Sequence, residues 1–222
     1  MRKLFLIVAV VTLIYACEKK QAKTVVIGNQ EWMTENLNVV TFRNGDPIPQ
    51  AATDEEWKNA SANKQPAWCY YNNDSANGEK YGKLYNWYAV NDPRGMAPEG
   101  WRVPKNSEWN ELTAILGGVT QAGRKMKSSD GWKENGNGKN NSGFSALPGG
   151  SRSSSGNFEE LGNITLAGYN GYWWSSTIDN ENTSKAWFCG LYYTDDGVVV
   201  SSGIDKGEGL SVRCLKNCTW YR

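Results

Sequence analysis

The chain has 222 residues, with 24 basic and 23 acidic side chains and a formal net charge of +1. This balance disfavours a nucleic-acid partner, because nucleic-acid-binding proteins carry a basic surface, and no long basic run indicates an anionic membrane partner. The chain has no histidine, which excludes histidine-based catalytic triads and removes the commonest transition-metal ligand.

The N-terminus has the pattern of a bacterial signal peptide. Arg2 and Lys3 precede an apolar stretch over residues 4–15, which is shorter than the ~20 residues of a membrane-spanning helix. Ala16 precedes Cys17, an arrangement that resembles a lipobox, in which the cysteine becomes an acylated N-terminus. The alternative is ordinary secretion with an unmodified Cys17. We expect a signal peptide over 1–16 and a lipidated tether over 17–24.

Local signals predict the first elements of the domain. Residues 25–27 and 32–33 form two short strands around a Gly28-Asn29 turn. Thr53, followed by three acidic residues, predicts a helix start. One amphipathic helix, which ends before Pro93, is predicted from residues at i, i+3, i+4 and i+7, namely Tyr81, Leu84, Tyr85 and Tyr88.

The clearest predicted helix has Asn106 or Ser107 as its N-cap and closes at Gly117-Gly118. Its apolar stripe consists of Trp109, Leu112, Ile115 and Leu116. Glycine- and asparagine-rich residues 135–143 predict a loop, as do polar residues 151–157.

The C-terminal part is predicted to be antiparallel sheet. Strands at 188–193 and 198–202 are joined by an Asp-Gly turn over 194–197, and residues 210–215 form the closing strand. Helices that precede such a sheet in the sequence indicate an α+β fold class. We expect one domain over residues 25–217 and a short tail over 218–222.

Cysteine spacing allows several arrangements. Besides Cys17, the four cysteines Cys69, Cys189, Cys214 and Cys218 permit three pairings and show no Cys-x-x-Cys metal spacing. A Cys189–Cys214 disulfide is the favoured pairing, because both residues lie in predicted C-terminal strands. The alternative is that these thiols are free and buried as small apolar groups.

No residue pattern indicates a metal or a cofactor. Asp/Asn clusters at 72–74, 179–182, 194–197 and 205–208 offer oxygen ligands, but none has the spacing of a calcium loop. Such clusters are typical of turns. We therefore expect no metal and no cofactor.

Aromatic residues are abundant, with eleven tryptophans. They suit either a sugar-stacking platform or a core, and we predict packing positions for Trp32, Trp87, Trp101, Trp109, Trp173, Trp174 and Trp187. Arg213 is predicted to form buried or half-buried ion pairs that hold the last strand.

Alternation along the late strand separates two faces. Trp187, Cys189, Leu191 and Tyr193 are predicted to face the core. Phe188, Gly190 and Tyr192 then face the other way, either towards water as a binding patch or against a second packing layer.

Several blocks of the chain resemble, in order, the Fibrobacter succinogenes major paralogous domain family over about residues 25–217. The blocks are residues 30–37, 81–87, 98–104, 143–152, 171–177 and 211–216. The resemblance implies a C-type-lectin-like fold with two or three helices and a loop-rich, mostly antiparallel sheet. It also implies a secreted or lipid-anchored bacterial module related in fold to formylglycine-generating enzymes.

The same resemblance suggests which residues contact a ligand. In the related variable proteins of diversity-generating retroelements, the late strands of the lectin-like fold display the ligand contacts. The corresponding residues here are Tyr172, Asp179, Asn182, Phe188, Gly190, Tyr192, Val199 and Ser201. No motif of the formylglycine-generating enzymes surrounds Cys189 or Cys214, so an oxidase is disfavoured.

Together these features predict a binding module without enzymatic activity, which recognises a glycan or a protein surface. We expect an outer-membrane lipoprotein of the bacterial cell envelope, and its C-terminal part is a candidate for diversification. The alternatives are an extracellular enzyme acting on polysaccharide and a structural envelope component.

Overall fold

The structure is a computed structural model that describes residues 22–158 and 167–217. The predicted signal peptide, most of the tether and the tail over 218–222 lie outside these ranges, and so do Cys17 and Cys218. No helix in the described ranges is both long and apolar enough to cross a bilayer.

Short helices and strands alternate along the described residues, and the α+β class is confirmed. The α-helices are α1 (Asp54–Ala62), α2 (Ser75–Tyr81), α3 (Trp87–Val90), α4 (Asn106–Ile115) and α5 (Ala122–Met126). The strands are β1 (Thr24–Ile27), β2 (Gln30–Met33), β3 (Trp68–Cys69), β4 (Leu84–Tyr85), β5 (Trp101–Arg102), β6 (Asn170–Ile178), β7 (Lys185–Tyr192), β8 (Val199–Asp205) and β9 (Leu215–Lys216). The described residues contain five α-helices, more than the two or three predicted, because α2, α3 and α5 are too short to show a periodic pattern.

The strands form three antiparallel sheets among the described residues. The first has the order β1-β2-β9-β5, so that the end of the chain pairs beside its beginning. The second pairs β3 with β4, and the third has the order β6-β7-β8. The predicted closing strand over 210–215 is shorter than expected, because Leu210 and Ser211 make only isolated bridges and the regular strand begins at Leu215.

Local sequence chemistry determines two of the helix starts. Thr53 caps α1, with its hydroxyl accepting from the Glu56 amide at 3.2 Å and its own amide donating to the Glu56 carboxylate at 3.1 Å. Helix α4 begins at Asn106 with Lys105 as its N-cap, one residue before the predicted N-cap, and Gly117 and Gly118 follow it with positive φ. The Thr53 cap and the glycine end of α4 are confirmed.

The predicted single helix through Tyr81 and Tyr88 is wrong. Helix α2 ends at Tyr81, because Gly82 adopts a φ of +77°. Strand β4 follows, and Asn86 then caps α3 by accepting from the Ala89 amide at 3.1 Å. Helical spacing of four aromatic and leucine side chains thus arises from three separate elements.

The two neighbouring tryptophans of β6 pack into different hydrophobic clusters, one on each face of the strand. Trp173 packs with Trp32, Trp109 and Phe144 in one hydrophobic cluster, whereas Trp174 packs in another cluster with Tyr85. Burial is confirmed for Trp32, Trp87, Trp109, Trp173 and Trp174. Trp101 is half-buried against the core. Trp57, Trp68 and Trp132 are buried too, although the sequence pattern did not assign them to packing positions.

Trp187 departs from the predicted core position. Its side chain is half-buried and belongs to none of the hydrophobic clusters of the described residues. The register between β7 and β8 shifts between Ala186 and Phe188, so the alternation that predicted its direction is interrupted at this residue.

Arg213 is fully buried, but the prediction of ion pairs is wrong. Its guanidinium donates to the Asn36 side-chain oxygen and to the backbone oxygens of Met33 and Phe144, all of them neutral acceptors. No carboxylate of the described residues lies within ion-pair distance of it. Burial lowers the pKa of this guanidinium, and the acceptors hold the last strand against the N-terminal sheet.

The predicted Cys189–Cys214 disulfide is also wrong. Cys69, Cys189 and Cys214 are free and buried. Cys189 packs in the Trp173 cluster and Cys214 in the Trp174 cluster, so the two thiols lie in separate hydrophobic clusters. Burial raises the pKa of Cys214 to about 12, which keeps this thiol protonated and unreactive.

Candidate functional site

The predicted ligand-contact residues of the late strands share one face of the β6-β7-β8 sheet. Tyr172 lies opposite Gly190, which lies opposite Val199, and Phe188 lies opposite Ser201. Residues that are directly opposite in antiparallel strands point to the same face. The grouping that the sequence predicted is therefore confirmed.

The exposure predicted for this face is wrong at its centre. Tyr172 and Phe188 are only 5% and 8% exposed and pack in the same cluster as Trp87 and Leu210. A side chain at Gly190 would have its Cβ 3.2 Å from the Phe188 ring. The second-layer packing alternative therefore applies to Phe188, because distant segments cover this face.

The edge of the same face remains accessible. Tyr192 is half-buried, with its ring 5.7 Å from that of Tyr172 in an edge-on arrangement. Burial raises the pKa of both phenols, so each keeps its hydroxyl proton at neutral pH. Val199 is exposed and Ser201 is half-buried, which leaves these two and Tyr192 as the part of the predicted set on this face that a ligand can reach.

The remaining two predicted residues shape the β6–β7 turn. The Asp179 carboxylate accepts the backbone N–H groups of Glu181 at 2.9 Å and Asn182 at 3.3 Å, and these bonds lower its pKa. Asn182 is exposed, and its side-chain oxygen accepts from the Ser184 amide at 3.1 Å. Both residues act as turn formers.

The β7–β8 turn lies at the centre of a concave region that the sequence did not predict. Three adjoining grooves of about 360, 220 and 400 Å³ meet there, and Asp196 lines all of them. We call this region the turn surface and define it by residues 119–125, 135–141 and 193–199. Its only sequence signals were the Asp-Gly turn and the Asn/Gly-rich loop, neither of which reveals that the two segments meet.

A buried lysine supports the turn surface from beneath. Lys127 is 1% exposed, and its ammonium group donates to the backbone oxygens of Asp195 at 2.7 Å and Tyr192 at 3.2 Å. Burial lowers its pKa, while the nearby carboxylates of Asp196 and Asp195 oppose that shift. The ammonium also lies 5.2 Å from the centre of the Trp132 ring.

Two glycines allow the segments of the turn surface to meet. A Cβ at Gly123 would lie 2.1 Å from the Gly197 oxygen, and one at Gly136 would lie 2.6 Å from the Tyr193 Cβ. Any side chain would force these backbones apart. Glycine at both positions is a steric requirement of the surface.

Backbone hydrogen bonds complete the support of the turn. The Gly197 amide donates to the Asp195 side chain at 2.6 Å, the Arg124 amide to the Asp196 oxygen at 3.1 Å, and the Val198 amide to the Val119 oxygen at 2.8 Å. The turn is therefore fixed from several directions, which reduces the entropy that it would lose when a ligand binds.

A larger cleft of about 720 Å³ lies elsewhere, between Asn36, α2 and residues 128–130. The Asn36 oxygen already accepts from Trp173 and Arg213, and its NH₂ group donates to the Tyr81 oxygen. The polar groups of Asn36 are therefore used in hydrogen bonds within the protein and are not free to bind a ligand in this cleft.

No three Asp, Glu, Cys or His side chains within 22–158 and 167–217 are grouped closely enough to hold a metal ion. The expectation that the protein uses no metal or cofactor stays a prediction.

One family model matches the chain, and it does so over almost its whole length. The Fibrobacter succinogenes major domain model matches residues 25–216. No curated protein and no solved structure matches the chain. The C-type-lectin likeness therefore stays a prediction from the resemblance. The chain belongs to the Fibrobacter succinogenes major domain family.

Proposed function

We propose that this protein is an extracytoplasmic, lipid-anchored binding module that recognises a glycan or a protein surface through its turn surface. The proposal includes no catalytic step. The observation that carries it is the preorganisation of the turn surface, where buried Lys127 and the closely packed Gly123 and Gly136 fix the grooves around Asp196. Binding sites are commonly built from loops that a rigid scaffold holds in place.

One of the predicted ligand-contact residues, Val199, contributes to this surface. Exposed Val199 lines the groove of about 400 Å³ together with Val119, which is 63% exposed. Tyr193 lines the neighbouring groove on the other side of the turn. Apolar and polar side chains thus lie side by side around one turn, which suits a ligand that has both apolar and polar surface.

The proposal is tested by screening the purified protein against a glycan array and against bacterial cell surfaces. Saturable binding to a defined glycan or surface protein is the expected result. Hydrolysis of a polysaccharide above that of a mock preparation, without saturable binding, would replace the proposal with the enzyme alternative.

The membrane anchor is tested separately at Cys17. Metabolic labelling with a fatty-acid analogue should mark the wild-type protein and leave Cys17→Ala unlabelled, because the thiol at the end of the signal peptide is the acceptor. A control substitution at Cys69, which is buried in the domain, should keep the label. Equal labelling of Cys17→Ala and wild type would show that the protein is not anchored in this way.

A further inference from the structure

The first of the three grooves is a cationic pocket. It has a volume of about 360 Å³ and is lined by Gln121, Arg124, Lys125, Lys139, Asn141 and Asp196. We refer to these six residues as the cationic pocket. Its volume lies at the lower end of the ~300–1,000 Å³ that small-molecule sites occupy.

Backbone pairing brings the cations of this pocket together from two distant parts of the sequence. The Lys139 amide donates to the Arg124 oxygen at 2.8 Å, and the Asn140 amide to the Lys127 oxygen at 3.1 Å. The Ser142 amide donates to the Lys125 oxygen at 3.2 Å. The loop after residue 135 therefore lies along α5, and this places Lys139 beside the two cations of the helix.

The positive charge of the pocket exceeds its negative charge. Arg124 pairs with Asp196 at 3.1 Å, and the Lys125 ammonium donates to the neutral Leu116 oxygen at 2.8 Å. Lys139 is exposed and pairs with no carboxylate among the described residues. Three cations against one carboxylate leave an excess of two positive charges, in a chain whose net charge is only +1.

We propose that the cationic pocket binds an acidic sugar unit of an anionic polysaccharide. The proposal rests on the binding function proposed above and names its ligand class. Arg124 and Lys139 would contact the sugar carboxylate, because charge-assisted hydrogen bonds to cations are the strong ones. The Gln121 and Asn141 amides and the Asp196 carboxylate are suited to the sugar hydroxyls.

The composition of the pocket favours this class over other anions. A sulfate or a phosphodiester has no hydroxyl to donate to the Asp196 carboxylate, whereas a sugar has several. Anionic membranes are recognised by clusters of about 4–8 basic residues, and duplex DNA by a larger set of phosphate contacts. The cationic pocket is concave and holds three cations, which suits one charged sugar unit.

The test is calorimetric titration of the full-length protein, purified in detergent, with an oligogalacturonate, which carries a carboxylate on every sugar. The comparison ligand is the same oligosaccharide with its carboxylates methyl-esterified. We expect saturable binding of the acid and at least about tenfold weaker binding of the ester, equivalent to the loss of one charge-assisted hydrogen bond. Equal affinity for both would overturn the proposal.

Matched charge variants locate the site. Lys139→Gln should weaken binding of the oligogalacturonate by about tenfold, whereas Lys58→Gln, which removes the same charge from exposed α1, should leave it unchanged. Equal loss in both variants would also overturn the proposal. So would a lack of oligogalacturonate binding together with binding to phosphatidylglycerol vesicles that Lys139→Gln weakens and Lys58→Gln does not, since a lipid anchor alone would hold both variants equally. A neutral glycan found in the screen, with no binding of the acid, would overturn this inference and leave the proposed binding function intact.

Discussion

Replacing Trp174 with alanine should lower the free energy of unfolding by about 3–5 kcal/mol, which is typical of emptying a buried aromatic site. Trp174 is fully buried in β6, and its indole N–H donates to the Tyr85 oxygen at 2.7 Å. The substitution removes the ring and leaves that buried oxygen without this donor. Urea unfolding followed by far-UV circular dichroism measures the loss.

Two variants of β7 test whether the burial of its aromatic residues follows the structure or the alternation pattern. Phe188→Ala should cost ~3 kcal/mol or more, because the ring is buried, whereas alternation left it either towards water or against a second packing layer. Trp187→Ala should cost less than ~2 kcal/mol, because that ring is half-buried and lies outside the hydrophobic clusters. The reverse order of these two losses would contradict the described packing of β7.

Arg213→Met should destabilise the protein by about 2–6 kcal/mol, at about 1–3 kcal/mol for each buried oxygen that loses its donor. The guanidinium lies 3.1 Å from the Met33 oxygen and 2.6 Å from the Phe144 oxygen, so it connects the N-terminal sheet, the loop before residue 145 and the last strand. Methionine fills most of the volume but donates no hydrogen bond. Urea unfolding of the two proteins at neutral pH gives the difference.

Arg213→Lys is the matched control for charge. Lysine keeps the positive charge but lacks the planar fork that reaches Asn36 and both backbone oxygens. We expect it to recover only part of the stability that methionine loses. Arg213→Met with the stability of wild type would contradict this prediction. It would mean that the buried hydrogen bonds stabilise the fold no more than an apolar side chain of similar size does, as is found for some buried ion pairs.

The sequence predicted those elements that short-range chemistry determines. The Thr53 cap, the Gly28 turn and the burial of Trp109, Leu112 and Leu116 each depend on residues within a few positions of one another. The fourth predicted member of the α4 stripe, Ile115, is 44% exposed. Alternation placed Phe188 and Gly190 of β7 on one face, and the family resemblance added Tyr172, Val199 and Ser201 to it, as the register confirms. The family assignment rested on ordered motifs and is confirmed over residues 25–216.

Features that depend on long-range contacts were not predictable in this way. Alternation assigns Phe188 to a face but does not show that Trp87 and Leu210 contribute to the cluster that buries it. The helical spacing from Tyr81 to Tyr88 gave no sign of the positive φ at Gly82.

The turn surface was missed for the same reason. The pairing of α5 with the Asn/Gly-rich loop joins segments whose sequences show only a short helix and a flexible composition. The close contact of Gly123 with the Gly197 oxygen is visible only when both backbones are placed.

The central claim is that a ligand binds at the turn surface, and two exposed valines test it most directly. Val199→Glu places a charge in the groove beside Asp196, whereas Val26→Glu places the same charge on β1, at a residue that is 66% exposed. Both substitutions are at exposed positions, so each should change stability by only about 0.5 kcal/mol.

The measurement is the dissociation constant of the ligand found in the screen, at 0.15 M salt, where charges further apart than about 8 Å are screened. The account predicts that Val199→Glu raises this constant at least about tenfold and that Val26→Glu leaves it within about twofold of wild type. Unchanged binding by Val199→Glu, or equal loss in both variants, would contradict a binding site at the turn surface.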